Sequence, residues 1–191
     1  MTSVYNPSEL PSPPWRTERL VLRPFVEADA EKVHAALDRD EEVWRHDPGF
    51  APTLEQRRGN IARFTILRRQ FGFGPCAAFL WDEALPGGEG ALVGQGGLNP
   101  YVYDHREGSR SVEFEVMYKL AMLYWGQGYA TEIARFWVRF AFEQVRLSHL
   151  LVCPVKANLR SIAVLGRLGA TFEDDWLDEN NIIARIDRSK V

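Results

Sequence analysis

The chain has 191 residues, 46% of them hydrophobic, and its 26 acidic side chains outnumber its 23 Lys and Arg, leaving a net charge of −3. That balance excludes the basic footprint of sequence-independent nucleic-acid binding, and no uninterrupted apolar run approaches the roughly 20 residues that span a bilayer, so neither nucleic acid nor membrane is an expected partner. Only Cys76 and Cys153 occur, with no metal-ligand spacing around them; they fit the buried, reduced thiols of a cytoplasmic protein, and no metal is expected.

In chain order, residues 1–14 hold Pro7, Pro11, Pro13 and Pro14 with neither a basic start nor an apolar h-region. This predicts an extended N-terminal arm rather than a signal peptide, followed by a single domain over 15–191. Arg19 to Arg23 alternates as a strand that Pro24 ends, and residues 27–37 carry Ala30, Val33, His34 and Leu37 at helical spacing. After a turn-rich segment, Thr53 and Gln56 form a capping box for a helix reaching about Gln70, which would bury Ile61, Phe64, Ile66 and Leu67. Residues 76–81 and 92–98 read as an antiparallel strand pair, with Gly94, Gly96 and Gly97 permitting a bulge or a close backbone approach.

In the next strand, 111–118, alternation puts Val112, Phe114, Val116 and Tyr118 on one face and Ser111, Glu113, Glu115 and Met117 on the other. Residues 129–146 are strongly amphipathic, with Ala130, Ile133, Ala134, Trp137, Val138, Ala141 and Val145 on one side. A strand at 149–155, a helix at 158–168 stopped by Gly169, and strands at 171–176 and 182–186 complete the chain. The sum is an α/β (α+β) fold, a mixed sheet of about six to seven strands flanked by about four helices.

The segment YWGQGYATE, residues 124–132, joins the strand at 111–118 to the long helix. The first amides of a helix have no partner within it, and its aligned peptide dipoles place partial positive charge there, so a glycine loop at that point can bind phosphate through the backbone. A tight turn that merely starts the helix reads equally well from this loop alone.

YWGQGYATE resembles the acetyl-coenzyme A pyrophosphate loop of the GNAT acetyltransferase superfamily, whose pattern is Q/R-x-x-G-x-G/A. The resemblance is to the branch similar to the bacterial Rim-type enzymes that acetylate ribosomal-protein amino termini. Gly128 and Ala130 take the last two fixed positions, with Trp125 where many members have Gln or Arg. Thr17-Glu18-Arg19-Leu20-Val21-Leu22-Arg23-Pro24 is similar to the branch's first strand, Glu115 falls where its fourth strand carries Glu, and Asn158-Leu159-Arg160-Ser161 resembles its N-x-x-S motif. The resemblance implies a twisted sheet splayed between its fourth and fifth strands, with acetyl-CoA in the opening as cosubstrate. It implies acetyl transfer to a primary amine, on a protein N-terminus or a small molecule, by direct attack in a ternary complex, and it allows a homodimer.

Residue by residue, the same resemblance implies Glu115 as the general base, acting directly or through water, with a pKa raised by burial or by repulsion from Glu113. Leu165 stands where many relatives carry a tyrosine acid, which leaves Ser161 to face the coenzyme sulfur. Met117, Tyr118 and Lys119 would offer backbone to the pantetheine arm as an added strand does. Gly126, Gln127, Gly128, Tyr129, Ala130 and Thr131 would surround the diphosphate, and Asn158 and Ser161 the arm, although both also read as helix caps. Two other functions stay open: a coenzyme-binding regulatory or scaffold protein of this fold, and a nucleotide-phosphate enzyme using the same loop. The loops near 38–52 and 99–110 are expected to choose the acceptor, and His46 to be a surface residue.

Overall fold

The computed structural model describes residues 5–190. Five strands pair in the order β1 (Trp15–Arg16), β2 (Leu20–Pro24), β3 (Cys76–Trp81), β4 (Glu89–Asp104) and β5 (Arg110–Leu120). Three more, β6 (His149–Val152), β7 (Thr171–Asp174) and β8 (Ile182–Asp187), form a second sheet with β8 in the middle. Every hydrogen-bonded pair is antiparallel. The splay falls between β5 and β6. His149 at the start of β6 meets Glu113 early in β5, and Ser161, beyond the end of β6, meets Tyr118 near the end of β5, so the two strands run in the same direction without a ladder. The parallel element of the expected mixed sheet is this unpaired neighbour relation.

Among the described residues five α-helices accompany the sheets: α1 (Ala30–Val33), α2 (Glu41–Trp44), α3 (Leu54–Phe71), α4 (Tyr129–Arg139) and α5 (Leu159–Arg167). A π-helical turn, Phe140–Gln144, prolongs α4. Its apolar side packs as the periodicity predicts: Ile133, Ala134, Trp137, Val138, Ala141 and Val145 are all buried. α4 approaches β4 so closely that a Cβ on Gly96 would lie 2.3 Å from Ile133 Cγ2, which is why glycine stands there. A bulge accompanies this approach, for the β3–β4 register shifts between Ala78 and Phe79.

The other face of the large sheet is covered by α1 and α3. The capping box opens α3 as expected, with reciprocal bonds between Thr53 and Gln56. Ile61 and Phe64 are buried, but Ile66 is 60% exposed and Arg57 is fully buried in its place. Positions 57, 61 and 64 follow the i, i+4, i+7 stripe, whereas 66 lies off it. Arg57 is tolerated because its guanidinium bonds both oxygens of Asp38, at 2.8 and 2.6 Å, and Gln95 Oε1 at 2.9 Å.

Two expectations are corrected in the β4–β5 hairpin. The strand expected to stop at Leu98 continues to Asp104 through Pro100, which sits opposite Phe114. Pairing with β3 ends at Gly96, so Pro100 lies where β4 has a partner on one side only and its missing N–H is tolerated. Residues 99–104 are therefore strand rather than an acceptor loop. Val112, assigned to an apolar face, is 61% exposed, as is Val102 opposite it, because the hairpin outruns the core. At the other terminus, the described part of the expected arm lies on the body: Tyr5 Oη donates to the Phe71 carbonyl at 3.1 Å, Pro7–Glu9 make one 3-10 turn, and Leu10 packs on the core. Met1–Val4 lie outside the described residues. Among the described residues no helix is long and apolar enough to cross a membrane.

Candidate active site

A cleft of about 1100 Å³ opens where β5 ends and α4 and α5 begin. Tyr118, Lys119, Gly126, Gly128, Tyr129, Ala130, Thr131, Asn158 and Ser161 all border it, so nine of the residues singled out from sequence converge there. Met117, Gln127 and Glu115 do not line it. Met117 lies opposite Gly97 within the ladder, and the Gln127 carbonyl is turned to Arg19.

The glycines owe their positions to backbone conformation. Gly126 has φ 75° and Gly128 φ 86°, in the left-handed region that side chains with a Cβ disfavour. A Cβ on Gly126 would meet nothing within 4 Å, and one on Gly128 only Arg19 Nη2 at 3.4 Å, so crowding by protein atoms does not demand either glycine. Gly128 is the N-cap of α4 and gives it no side-chain cap. The amide of Glu132 is the first to find an acceptor, the Gly128 carbonyl at 3.0 Å. Among the described residues, none of the six amides from Gly126 to Thr131 makes a hydrogen bond of ordinary geometry to the protein, the Gln127 amide only closing a looser turn over Trp125 and Gly126. Successive unpaired amides at a helix start form an anion site. The cleft wall adds Arg16, Arg19, Arg135, Arg139, Arg160 and Arg167 in a chain whose net charge is negative.

α5 meets the cleft through its N-terminus. Asn158 caps it, its Oδ1 accepting from the Ser161 amide at 3.2 Å. That leaves the Ser161 hydroxyl available, and it lies 3.0 Å from Tyr118 Oη. Burial pushes the Tyr118 phenol up to about 12, so it is neutral and a donor at ordinary pH. Leu165, at the position where a tyrosine was the alternative, is fully buried in the core. The Tyr118 hydroxyl is a site feature that sequence reading missed, having assigned that residue only a backbone role. Its signal was the alternation that put Tyr118 on the opposite face from Glu115.

Glu115 is half-buried beside the cleft rather than in its wall. Asn99, its cross-strand partner, donates Nδ2–H to Glu115 Oε1 at 2.8 Å, and Arg63 reaches Asn99 Oδ1 at 3.4 Å. Burial raises the Glu115 pKa; the Asn99 bond opposes this, and the charge of Asp47 adds to it. The expected repulsion from Glu113 is not among the leading causes. Glu113 instead binds Ser111 Oγ at 2.6 Å and His149 Nε2 at 2.9 Å, which holds its charge within its own cluster.

Lys119 shares this face of β5. Its side chain is 10% exposed, lies over the Trp44 ring at 3.7 Å, and donates to the Asp47 carbonyl and carboxylate. Burial lowers its pKa, and Asp47 opposes the shift. The loop after α2 is thereby pinned over the cleft, with Arg45, His46 and Asp47 in the wall beside Glu42 of α2. His46 is thus half-buried at the mouth rather than a plain surface group. Of the two loops expected to select an acceptor, only the first borders the cleft.

Residues 19–171 match the model of the Acetyltransferase (GNAT) domain family. The chain belongs to the GNAT acetyltransferase family. It is 30% identical over 170 residues to the FsC-acetyl coenzyme A-N(2)-transacetylase of Aspergillus fumigatus, covering 87% of this chain and 68% of the relative. The acetyltransferase of Agrobacterium tumefaciens superposes with a TM-score of 0.72 at 26% identity, over 92% of this chain and 95% of that one. RimL, a ribosomal α-N-protein acetyltransferase solved with coenzyme A, superposes with a TM-score of 0.63 at 15% identity, over 92% and 96% of the two chains, a likeness of fold alone. This chain is an acetyl-CoA-dependent N-acetyltransferase.

Proposed function

We propose that residues 15–191 act as one catalytic unit that acetylates a primary amine, on a protein N-terminus or a small molecule, within a ternary complex. The run of open amides from Gly126 to Thr131, facing a basic cleft, carries the reading. It fits a diphosphate by geometry and by charge, and the name of the Aspergillus relative specifies a nitrogen acceptor. In this reading the Gly126–Thr131 amides hold the diphosphate, Asn158 and the end of β5 at Met117, Tyr118 and Lys119 align the pantetheine arm, and acetyl-CoA supplies an activated thioester.

Amine attack on the thioester carbon forms the C–N bond and breaks the C–S bond, so a proton must leave nitrogen and a thiolate must be stabilised. Glu115 takes the amine proton through water, since its carboxylate stands back from the cleft wall. Its raised pKa makes it a stronger base than an ordinary carboxylate. At the sulfur, Ser161 presents its hydroxyl hydrogen; Tyr118 Oη stands 3.0 Å from Ser161 Oγ, where either oxygen can donate, and also reaches the Ser161 carbonyl at 3.3 Å. That pair takes the place of the tyrosine missing at Leu165.

Release of coenzyme thiol, followed across a panel of primary amines including N-terminal peptides, tests the assignment. Release should require an amine and yield its N-acetyl product. Tight acetyl-CoA binding with no amine-dependent release would point to a coenzyme-binding regulator instead, and competition by ATP at equal affinity to a nucleotide enzyme.

A further inference from the structure

The glycine loop is restrained by a segment more than 100 residues upstream that itself borders the cleft. Arg19, in the turn between β1 and β2, donates Nε–H to Glu132 Oε2 at 2.7 Å and Nη1–H to the Gln127 carbonyl at 3.0 Å. The Arg19 amide and the Thr17 hydroxyl both donate to Glu132 Oε1, at 2.8 and 2.6 Å. The guanidinium also lies 4.2 Å from the Tyr129 ring centroid. Arg19 therefore touches three points of the loop and the first turn of α4, and Glu132 receives three donors with its side chain only 13% exposed.

Two physical consequences follow. Turning the Gln127 carbonyl toward Arg19 fixes the Gln127–Gly128 peptide plane, so the Gly128 N–H, antiparallel to that carbonyl, keeps its direction without a ligand to order it. Glu132 sits in the first turn of α4, where an unpaired carboxylate would repel a bound anion and occupy the helix dipole itself; Arg19 cancels that charge. Arg19 Nη2 has no partner among the described residues and lies 3.4 Å from where a Cβ on Gly128 would stand, on the residue's cleft-lining side. Trp125, at the start of the loop, offers it no free donor, because its indole N–H is spent on the Leu120 carbonyl at 2.8 Å.

We propose that Arg19, locked by Glu132 and Thr17, is a positioning residue that pre-sets the diphosphate-binding loop and neutralises the one carboxylate in the first turn of α4. The inference rests on the assignment of the diphosphate to this loop. Its test compares kcat/KM for acetyl-CoA with that for S-acetylpantetheine, which keeps the thioester and lacks the diphosphate, in wild type, Arg19→Lys, Arg19→Met and Glu132→Gln.

In wild type acetyl-CoA should be much the better substrate. The ratio should fall roughly 10- to 100-fold in Arg19→Met, as expected for losing two hydrogen bonds from a charged donor, with the loss in KM rather than kcat. Arg19→Lys keeps the charge without the fork and should fall between the two. The double variant Arg19→Met/Glu132→Gln should lose less than the sum of the single losses, since the residues act as one unit. An unchanged ratio, whether both substrates decline together or neither does, overturns the clamp, and the thermal midpoint of Arg19→Lys guards against a folding defect as the cause. A wild-type ratio near one would instead remove the diphosphate from the loop, and the clamp with it.

Discussion

Replacing Gly128 with alanine isolates the backbone's share of coenzyme binding. The added methyl would meet only the movable tip of Arg19, at 3.4 Å, so its cost is conformational. Holding an L-residue at φ 86° costs about 1–2 kcal/mol. If the loop keeps its shape when empty, that cost appears as lost stability; if it relaxes, the cost appears when the coenzyme re-imposes the conformation. At 1.4 kcal/mol per decade, the second case weakens acetyl-CoA by roughly 5- to 30-fold. Calorimetric titration and urea unfolding of the same preparation measure both parts, whose sum should be about 1–2 kcal/mol. Gly59→Ala is the control: Gly59 is exposed on α3 with open space at its Cβ, so alanine should stabilise by about 0.5–1 kcal/mol and leave affinity alone. Undiminished affinity together with undiminished stability in Gly128→Ala would refute the conformational argument.

Glu115→Gln should lower kcat by roughly 100- to 10,000-fold near neutral pH with partial recovery as the amine deprotonates unaided, and it should abolish the acid limb of the wild-type rate profile. That limb lies above the usual carboxylate range because the folded-state pKa is raised. By the same sign, ionising Glu115 opposes folding as pH rises from its unfolded to its folded pKa, so the Gln variant should be no less stable than wild type at pH 7 in thermal melts. Tyr118→Phe and Ser161→Ala should each reduce kcat with little change in KM for acetyl-CoA, and the double variant should be hardly worse than the poorer single, as a steady-state double-mutant cycle would register. Arg57→Met should cost about 3–5 kcal/mol in denaturant unfolding, because it strands the buried Asp38 carboxylate.

The features legible in the sequence are those written locally. The α4 stripe, the Thr53–Gln56 box and the Asn158 cap each depend on residues within one or two turns, and the structure reproduces them. The glycine loop was legible as a motif, but the positive φ angles that independently call for glycine at 126 and 128 were not. Burial of Arg57 was readable in principle, since it continues the Ile61–Phe64 stripe. Its charge argued for the surface, and its partners Asp38 and Gln95 lie 19 and 38 residues away. The contacts that define the cleft, Arg19 with Glu132, Tyr118 with Ser161 and Lys119 with Asp47, join residues 113, 43 and 72 positions apart. Periodicity holds no record of such pairs, because it reports which face a side chain takes and not which element the fold later brings opposite.

Crystals grown with acetyl-CoA would decide the matter most simply. Diphosphate oxygens should lie within about 3.2 Å of at least three of the main-chain nitrogens between Gly126 and Thr131. A diphosphate held by side chains elsewhere, with those nitrogens facing bulk water, would contradict the proposed mode of coenzyme binding.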